Sequence, residues 1–132
     1  MPWRGRSFLG NYLRAGLAAV VIGIAMEQLW PLTRLGALHI IFITGFSFVV
    51  LTVAIRVVFG HSGCGDLLRR PLPFFRVVAL LVLLAAVSRY VAEIAPKVRT
   101  MHLVSAAIVW LIAAFIWTVV VVPKTGIIEE EK

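Results

Sequence analysis

The chain of 132 residues is 61% hydrophobic and only 14% charged, and its formal net charge is +7. A soluble surface cannot cover this much apolar side chain, so the composition excludes a soluble globular domain and predicts an integral membrane protein. Because its basic residues are not interleaved with aromatic ones, the positive charge favours membrane topology and attraction to anionic lipid, and no nucleic-acid partner is expected.

The first two apolar stretches predict helices at about 12–30 and 36–59, since a bilayer core of roughly 30 Å needs about 20 helical residues. The first helix should end at Trp30-Pro31, because proline disfavours helix in the residue before it. The second carries no formal charge until Arg56, whose long side chain reaches the headgroups from the last turns.

The third and fourth helices are predicted at about 73–95 and 101–122, followed by a short polar tail at 123–132. The third ends at Pro96, and the fourth contains no formally charged residue. Glycines that favour close packing, within the chain or against partners, are spread over the first two helices: Gly16, Gly23, Gly36 and Gly45. The predicted fold class is therefore all-α, a single polytopic membrane domain built as a bundle of four transmembrane helices.

Lysine and arginine in short loops remain preferentially on the cytoplasmic side. Six of the 13 basic residues precede the first helix or surround the second connection: Arg4, Arg6, Arg14, Arg69, Arg70 and Arg76. The first connection offers only Arg34, and the third offers Lys97 and Arg99. This distribution predicts that both termini face the cytoplasm.

On this topology, five ionisable residues fall at similar depth near the outer side: Glu27, His39, Arg89, Glu93 and His102. Arg89 and Glu93 are four residues apart, so they share one helical face and neutralise one another. Two interpretations of the pair are open, a structural ion pair and a role in a site.

His39 and His61 are separated by 22 residues, or roughly 33 Å along a helix, so they cannot bind one metal. In an uninterrupted α-helix, about 100° per residue brings both imidazoles to within roughly 40° of one direction. His39 with His102 offers an axial pair for haem or two nitrogens for copper, and His61 with Cys64 offers a soft-metal pair. The alternative for each histidine is a ring hydrated at the headgroups.

The second helix and its exit resemble the NnrS family of bacterial membrane proteins. The resemblance lies in Ala37-Leu38-His39, in Arg56, and in Gly60-His61-Ser62-Gly63. It implies a polytopic protein of the bacterial inner membrane, containing haem and copper and associated with nitric oxide metabolism. The residues that match the pattern are His39, Arg56 and His61. The family typically has about a dozen helices where four are present here, and Cys64-Gly65 stands where a basic residue commonly follows.

Two functions are compatible with these observations. The first is a small NnrS-like protein that binds haem or copper in nitric oxide or respiratory metabolism. The alternative is a non-catalytic accessory subunit that packs against a larger respiratory or electron-transfer membrane complex. The expected partners are membrane lipid and either further copies of the chain or a larger membrane complex. A transporter ranks last, because no matching pair of broken helices marks a midplane site. No serine has a histidine and carboxylate at its depth, so whether the chain is an enzyme stays open.

Overall fold

The computed structural model describes residues 7–128 and confirms a bundle of four membrane-length helices. The first span is the α-helix Phe8–Leu29, and the second span covers Pro31–His61. The third span is the α-helix Pro73–Ile94, and the fourth span covers Pro96–Gly126 with the α-helix Arg99–Val121 as its main part. No strand occurs among the described residues, in keeping with the bilayer's demand that backbone groups be satisfied within each segment.

The first helix begins earlier than predicted, at Phe8, because the Ser7 side chain accepts a hydrogen bond from the Gly10 backbone N–H and caps the helix. The predicted tail at 123–132 begins within a 3₁₀ segment, Val122–Ile128. Positions 129–132 of that tail, and Arg4 and Arg6 of the topology argument, lie outside the described residues.

The second span is continuous but not uniformly α-helical. After a 3₁₀ turn at Pro31–Thr33 it is α-helical over Arg34–His39, π-helical over Ile40–Phe46 and α-helical again over Ser47–His61. A π-helix has more residues per turn than an α-helix. The common direction predicted for His39 and His61 on an uninterrupted α-helix is therefore not retained.

Glycines bring the first and second spans into close contact, as the sequence predicted. A Cβ placed on Gly16 would lie 2.9 Å from the Gly45 carbonyl oxygen and 3.0 Å from the Phe48 Cβ. A Cβ on Gly45 would lie 2.6 Å from Val20 Cγ2. Because neither Gly16 nor Gly45 has room for a methyl group, the close contact of the two helices at this point requires glycine.

Consecutive spans alternate in direction, so the bundle has two ends. We call the end with the second connection the basic end, because it carries Arg14, Arg56, Arg69, Arg70, Arg76 and Lys124. The other is the histidine end, where His39 and His102 lie. The large core side chains Phe59 and Phe75 are 1% and 0% exposed and lie towards the basic end. Tyr12 packs edge-on against Phe75 with ring centroids 5.0 Å apart.

The third and fourth spans pair along their length through small residues. Ala85, Ala86 and Ala92 of the third span are buried, as are Ala106 and Ala113 of the fourth. Alanine lets two helix backbones approach closely in a medium where hydrophobic driving force between helices is weak. This pairing places Ser88 against the beginning of the fourth span and so positions His102.

Candidate functional site

His102 is held by Ser88 of the neighbouring span. The Ser88 hydroxyl donates to the His102 carbonyl oxygen at 3.1 Å, and Ser88 Oγ lies 3.0 Å from His102 Nδ1. Because the one hydroxyl proton goes to the carbonyl, the contact with Nδ1 requires Nδ1–H to donate to Ser88 Oγ. In the neutral ring the lone pair is then on Nε2, the arrangement that an imidazole needs to bind a metal.

His39 is fixed in a similar way by its own helix. Its Nδ1 lies 2.6 Å from the Leu35 carbonyl oxygen, which can only accept, so Nδ1 carries the proton and Nε2 the lone pair. The side chain is half-buried. On its helix it lies between Gly36, which packs against Tyr90 of the third span, and Ile43.

A groove of about 440 Å³ opens at the histidine end among the second, third and fourth spans. It is lined by Ile43, Arg89, Leu103, Ala106, Ala107, Trp110 and Leu111. His39 precedes Ile43 by one turn, and His102 precedes Ala106 by one turn, so both imidazoles lie on faces that lead to this groove. The lining is apolar apart from Arg89.

Arg89 and Glu93 form an open ion pair. Arg89 Nη1 and Glu93 Oε2 are 4.0 Å apart, too far for a hydrogen bond, and the two side chains are 16% and 15% exposed. Both atoms are buried and have no hydrogen-bond partner among the described residues. A buried guanidinium nitrogen without a partner is costly, so Arg89 retains donor capacity for a carboxylate or phosphate.

Glu27, which the sequence placed at the same depth as these residues, is paired elsewhere. Its Oε1 accepts a hydrogen bond from Arg34 Nε at 2.7 Å across the first connection. Neither this pair nor the contact between Ser88 and His102 was predicted, and the second shows that Ser88 does lie at the depth of a histidine. The clue to the first was a lone arginine just after the Trp30-Pro31 break, and the clue to the second was a serine within an otherwise apolar helix.

His61 lies at the basic end and is exposed. Its Nδ1 donates to the Val57 carbonyl oxygen at 2.9 Å, and the ring lines a second groove together with Arg56. Cys64 is half-buried and packs against the hydrophobic core instead. The two side chains therefore have different surroundings. Gly63 makes the turn between them with a φ of 72°, in the left-handed region that favours glycine.

Within residues 7–128, no three or more histidine, cysteine, aspartate or glutamate side chains come together in a way that could hold a metal ion. His39 lies at one end of the second span, while His61 and Cys64 lie at the other. Fewer than three such donors therefore lie together at any place among the described residues.

Comparison with known proteins gives one family. The family model described as "NnrS protein" matches residues 5–125, which is nearly the whole chain. No curated protein and no solved structure matches the chain significantly.

Proposed function

Because the chain belongs to the NnrS family, we propose that it is a nitric-oxide-related protein of the bacterial inner membrane that binds haem at its histidine end. The family and four apolar helices support the general assignment. The haem assignment rests on the groove of about 440 Å³, which Arg89 lines and which begins one helical turn beyond each of two half-buried histidines.

The residues of this groove fit a haem in three respects. Its apolar wall of leucine, alanine and tryptophan suits the macrocycle. His102 and His39 each have Nδ1 engaged as a hydrogen-bond donor and Nε2 free, which is the state of an imidazole that would hold the iron. The buried Nη1 of Arg89 faces Glu93 at 4.0 Å without a hydrogen bond, and a propionate carboxylate would supply one. This nitrogen, which is buried without a hydrogen bond, is the observation that carries the proposal.

Haem is favoured over copper as the cofactor. A copper centre usually draws three or more donors from the protein, and the described residues gather no such group. A haem iron requires only one or two axial side chains. His39 and His102 would provide them, with Ser88 holding the His102 ring and Arg89 holding the propionate side.

When bound, the haem would supply an iron atom able to bind nitric oxide in place of one of the two imidazoles. The chain's own residues would hold the iron within the apolar part of the membrane. The apolar lining excludes water from the groove, and a small uncharged gas dissolves readily in the surrounding hydrocarbon. The Ser88 hydroxyl keeps the His102 proton on Nδ1 and so leaves Nε2 as the ligating atom.

The test is an optical spectrum of the protein purified in detergent from haem-supplied cells. We expect a haem Soret band that shifts when nitric oxide is added to the reduced protein. His39→Ala and His102→Ala should abolish the band, and Ser88→Ala should weaken haem affinity by about tenfold, the lower bound for outer-sphere partners of a ligand. His61→Ala, the same change at the basic end, is the matched control and should retain the spectrum.

Two results would refute this site. A colourless protein from cells with ample haem would exclude haem binding. If the Soret band is lost in His61→Ala but kept in His39→Ala and His102→Ala, the haem is bound at the basic end instead. Each variant should first elute from size exclusion as the parent does, which shows that it has folded.

The second candidate is a non-catalytic accessory subunit. The observation that favours it is the exposure of the outer helices, since only 17% of the apolar window is buried in the first and in the fourth span, compared with 33% in the other two. These faces are available to lipid, to a second copy or to a larger complex. A colourless protein that co-purifies stoichiometrically with a respiratory complex would support this function.

A further inference from the structure

We infer that the basic end holds one anionic phospholipid in the groove between the first and second spans. This groove has a volume of about 350 Å³ and lies at the opposite end of the second span from the proposed haem site. The residues that matter for the argument are Leu13, Thr52, Val53, Arg56, Val57 and His61.

The lining changes from polar to apolar along the groove. His61 and Arg56 are exposed, and Arg56 lies five residues deeper, or about 7.5 Å along the helix axis. Beyond them the wall is formed by Val53 of the second span and Leu13 of the first. A phospholipid has the same order, with a charged phosphate followed by acyl chains.

Thr52 provides an unused polar atom on the apolar side of the groove. The residue is 3% exposed, and its hydroxyl has no hydrogen-bond partner among the described residues. It lies one turn deeper than Arg56 on the same helical face. A glycerophospholipid has ester carbonyl oxygens just below its phosphate, and these are acceptors that a threonine hydroxyl can satisfy.

The charge of this end selects an anionic headgroup. Six described cations, listed above as the basic end, accompany one carboxylate, Asp66. None of the six forms an ion pair within residues 7–128. Each basic residue near a membrane surface attracts anionic lipid by roughly 1 kcal/mol, and only Arg56 among the six lines the groove. All six cations should therefore contribute to the general attraction of anionic lipid, whereas Arg56 should make the direct contact with the headgroup.

A phospholipid fits better than a free phosphate ion, because most of the lining is apolar and would remain uncovered by an ion. The inference does not depend on haem. At the rise of an α-helix, Thr52, Arg56 and His61 lie roughly 20, 25 and 33 Å from His39 along the span, so either site can fail without the other.

Native mass spectrometry of the detergent-solubilised protein tests the inference with phosphatidylglycerol and with phosphatidylcholine of the same acyl chains. We expect one tightly retained phosphatidylglycerol and about tenfold weaker retention of phosphatidylcholine. Arg56→Gln should weaken phosphatidylglycerol retention by about tenfold, as expected for loss of one hydrogen bond to a charged group. Arg70→Gln removes the same charge from the same end outside the groove and should leave retention close to that of the parent.

Thr52→Val replaces the hydroxyl with a methyl group of similar size and should weaken retention by a smaller factor. Equal losses in Arg56→Gln and Arg70→Gln would show diffuse attraction and overturn the site. Equal retention of the two lipids would overturn the anionic headgroup. Displacement of phosphatidylglycerol by millimolar inorganic phosphate would show that the phosphate contact acts without the apolar groove, which also contradicts the inference.

Discussion

Gly16→Ala should destabilise the bundle, because the new methyl group meets backbone. The added Cβ would lie 2.9 Å from the Gly45 carbonyl oxygen, 3.0 Å from the Phe48 Cβ and 3.2 Å from Val49 Cγ2. The first two of these atoms cannot move by rotation of a side chain. The first and second spans must separate by several tenths of an ångström to make room.

The size of the effect follows from two opposing contributions. Overpacking by one methylene costs about 1–3 kcal/mol, and replacing a mid-helix glycine by alanine returns about 0.5–1 kcal/mol of conformational entropy. The net expectation is a loss of about 1–2 kcal/mol in the free energy of unfolding. Gly60→Ala is the matched control, since nothing lies within 4 Å of its added Cβ. It should be neutral or stabilising by up to about 1 kcal/mol.

The measurement is unfolding of the purified protein in mixed micelles by increasing sodium dodecyl sulphate, followed by circular dichroism and near-ultraviolet absorbance. Gly16→Ala should unfold at a lower detergent fraction than the parent, and Gly60→Ala at the same fraction or a higher one. If Gly16→Ala is as stable as the parent, the two spans do not cross at Gly16 and Gly45. Equal destabilisation by both changes would show that helix flexibility, rather than close packing, determines the effect.

Two further predictions concern the core and the topology. Phe75→Ala should lose about 3–5 kcal/mol of stability in the same titration, because the ring is 0% exposed, whereas Phe115→Ala should lose far less since its ring is 69% exposed. In a Cys64→Ser background, a cysteine replacing Lys124 should resist an impermeant maleimide added to intact cells, while one replacing Lys97 should react. The reverse pattern would contradict the predicted cytoplasmic termini.

The four helices follow from the sequence because apolar length is sufficient to define a membrane span. Close packing at Gly16 and Gly45 was also predictable, because glycine lets the backbones of lipid-embedded helices approach one another closely. The π-helical segment Ile40–Phe46 was not predictable. The same apolar residues are equally compatible with an α-helix, so composition does not distinguish the two helix types. Packing against neighbouring spans determines which of them forms.

The partners of the ionisable residues were harder to predict than the helices. Depth placed Glu27, Arg89 and His102 near one another, but depth does not give the direction in which a side chain points. Glu27 instead pairs with Arg34, which is close to it through the turn after Pro31. The bond from His102 to Ser88 depends on the relative rotation of the third and fourth spans, which their buried alanines determine.

The second span explains why the residues of the family resemblance need not act together. His39 and His61 each donate Nδ1–H to a carbonyl four residues earlier, so each has its free nitrogen on Nε2. Their surroundings differ, because His39 is half-buried one turn from an apolar groove that Arg89 lines, and His61 is exposed in the groove that Arg56 lines. The surroundings of His39 favour the proposed haem, and the surroundings of His61 favour the inferred anionic headgroup. The same side chain on one helix can therefore serve two chemistries, and the His61→Ala control for haem and the Arg56→Gln variant for lipid test that division independently.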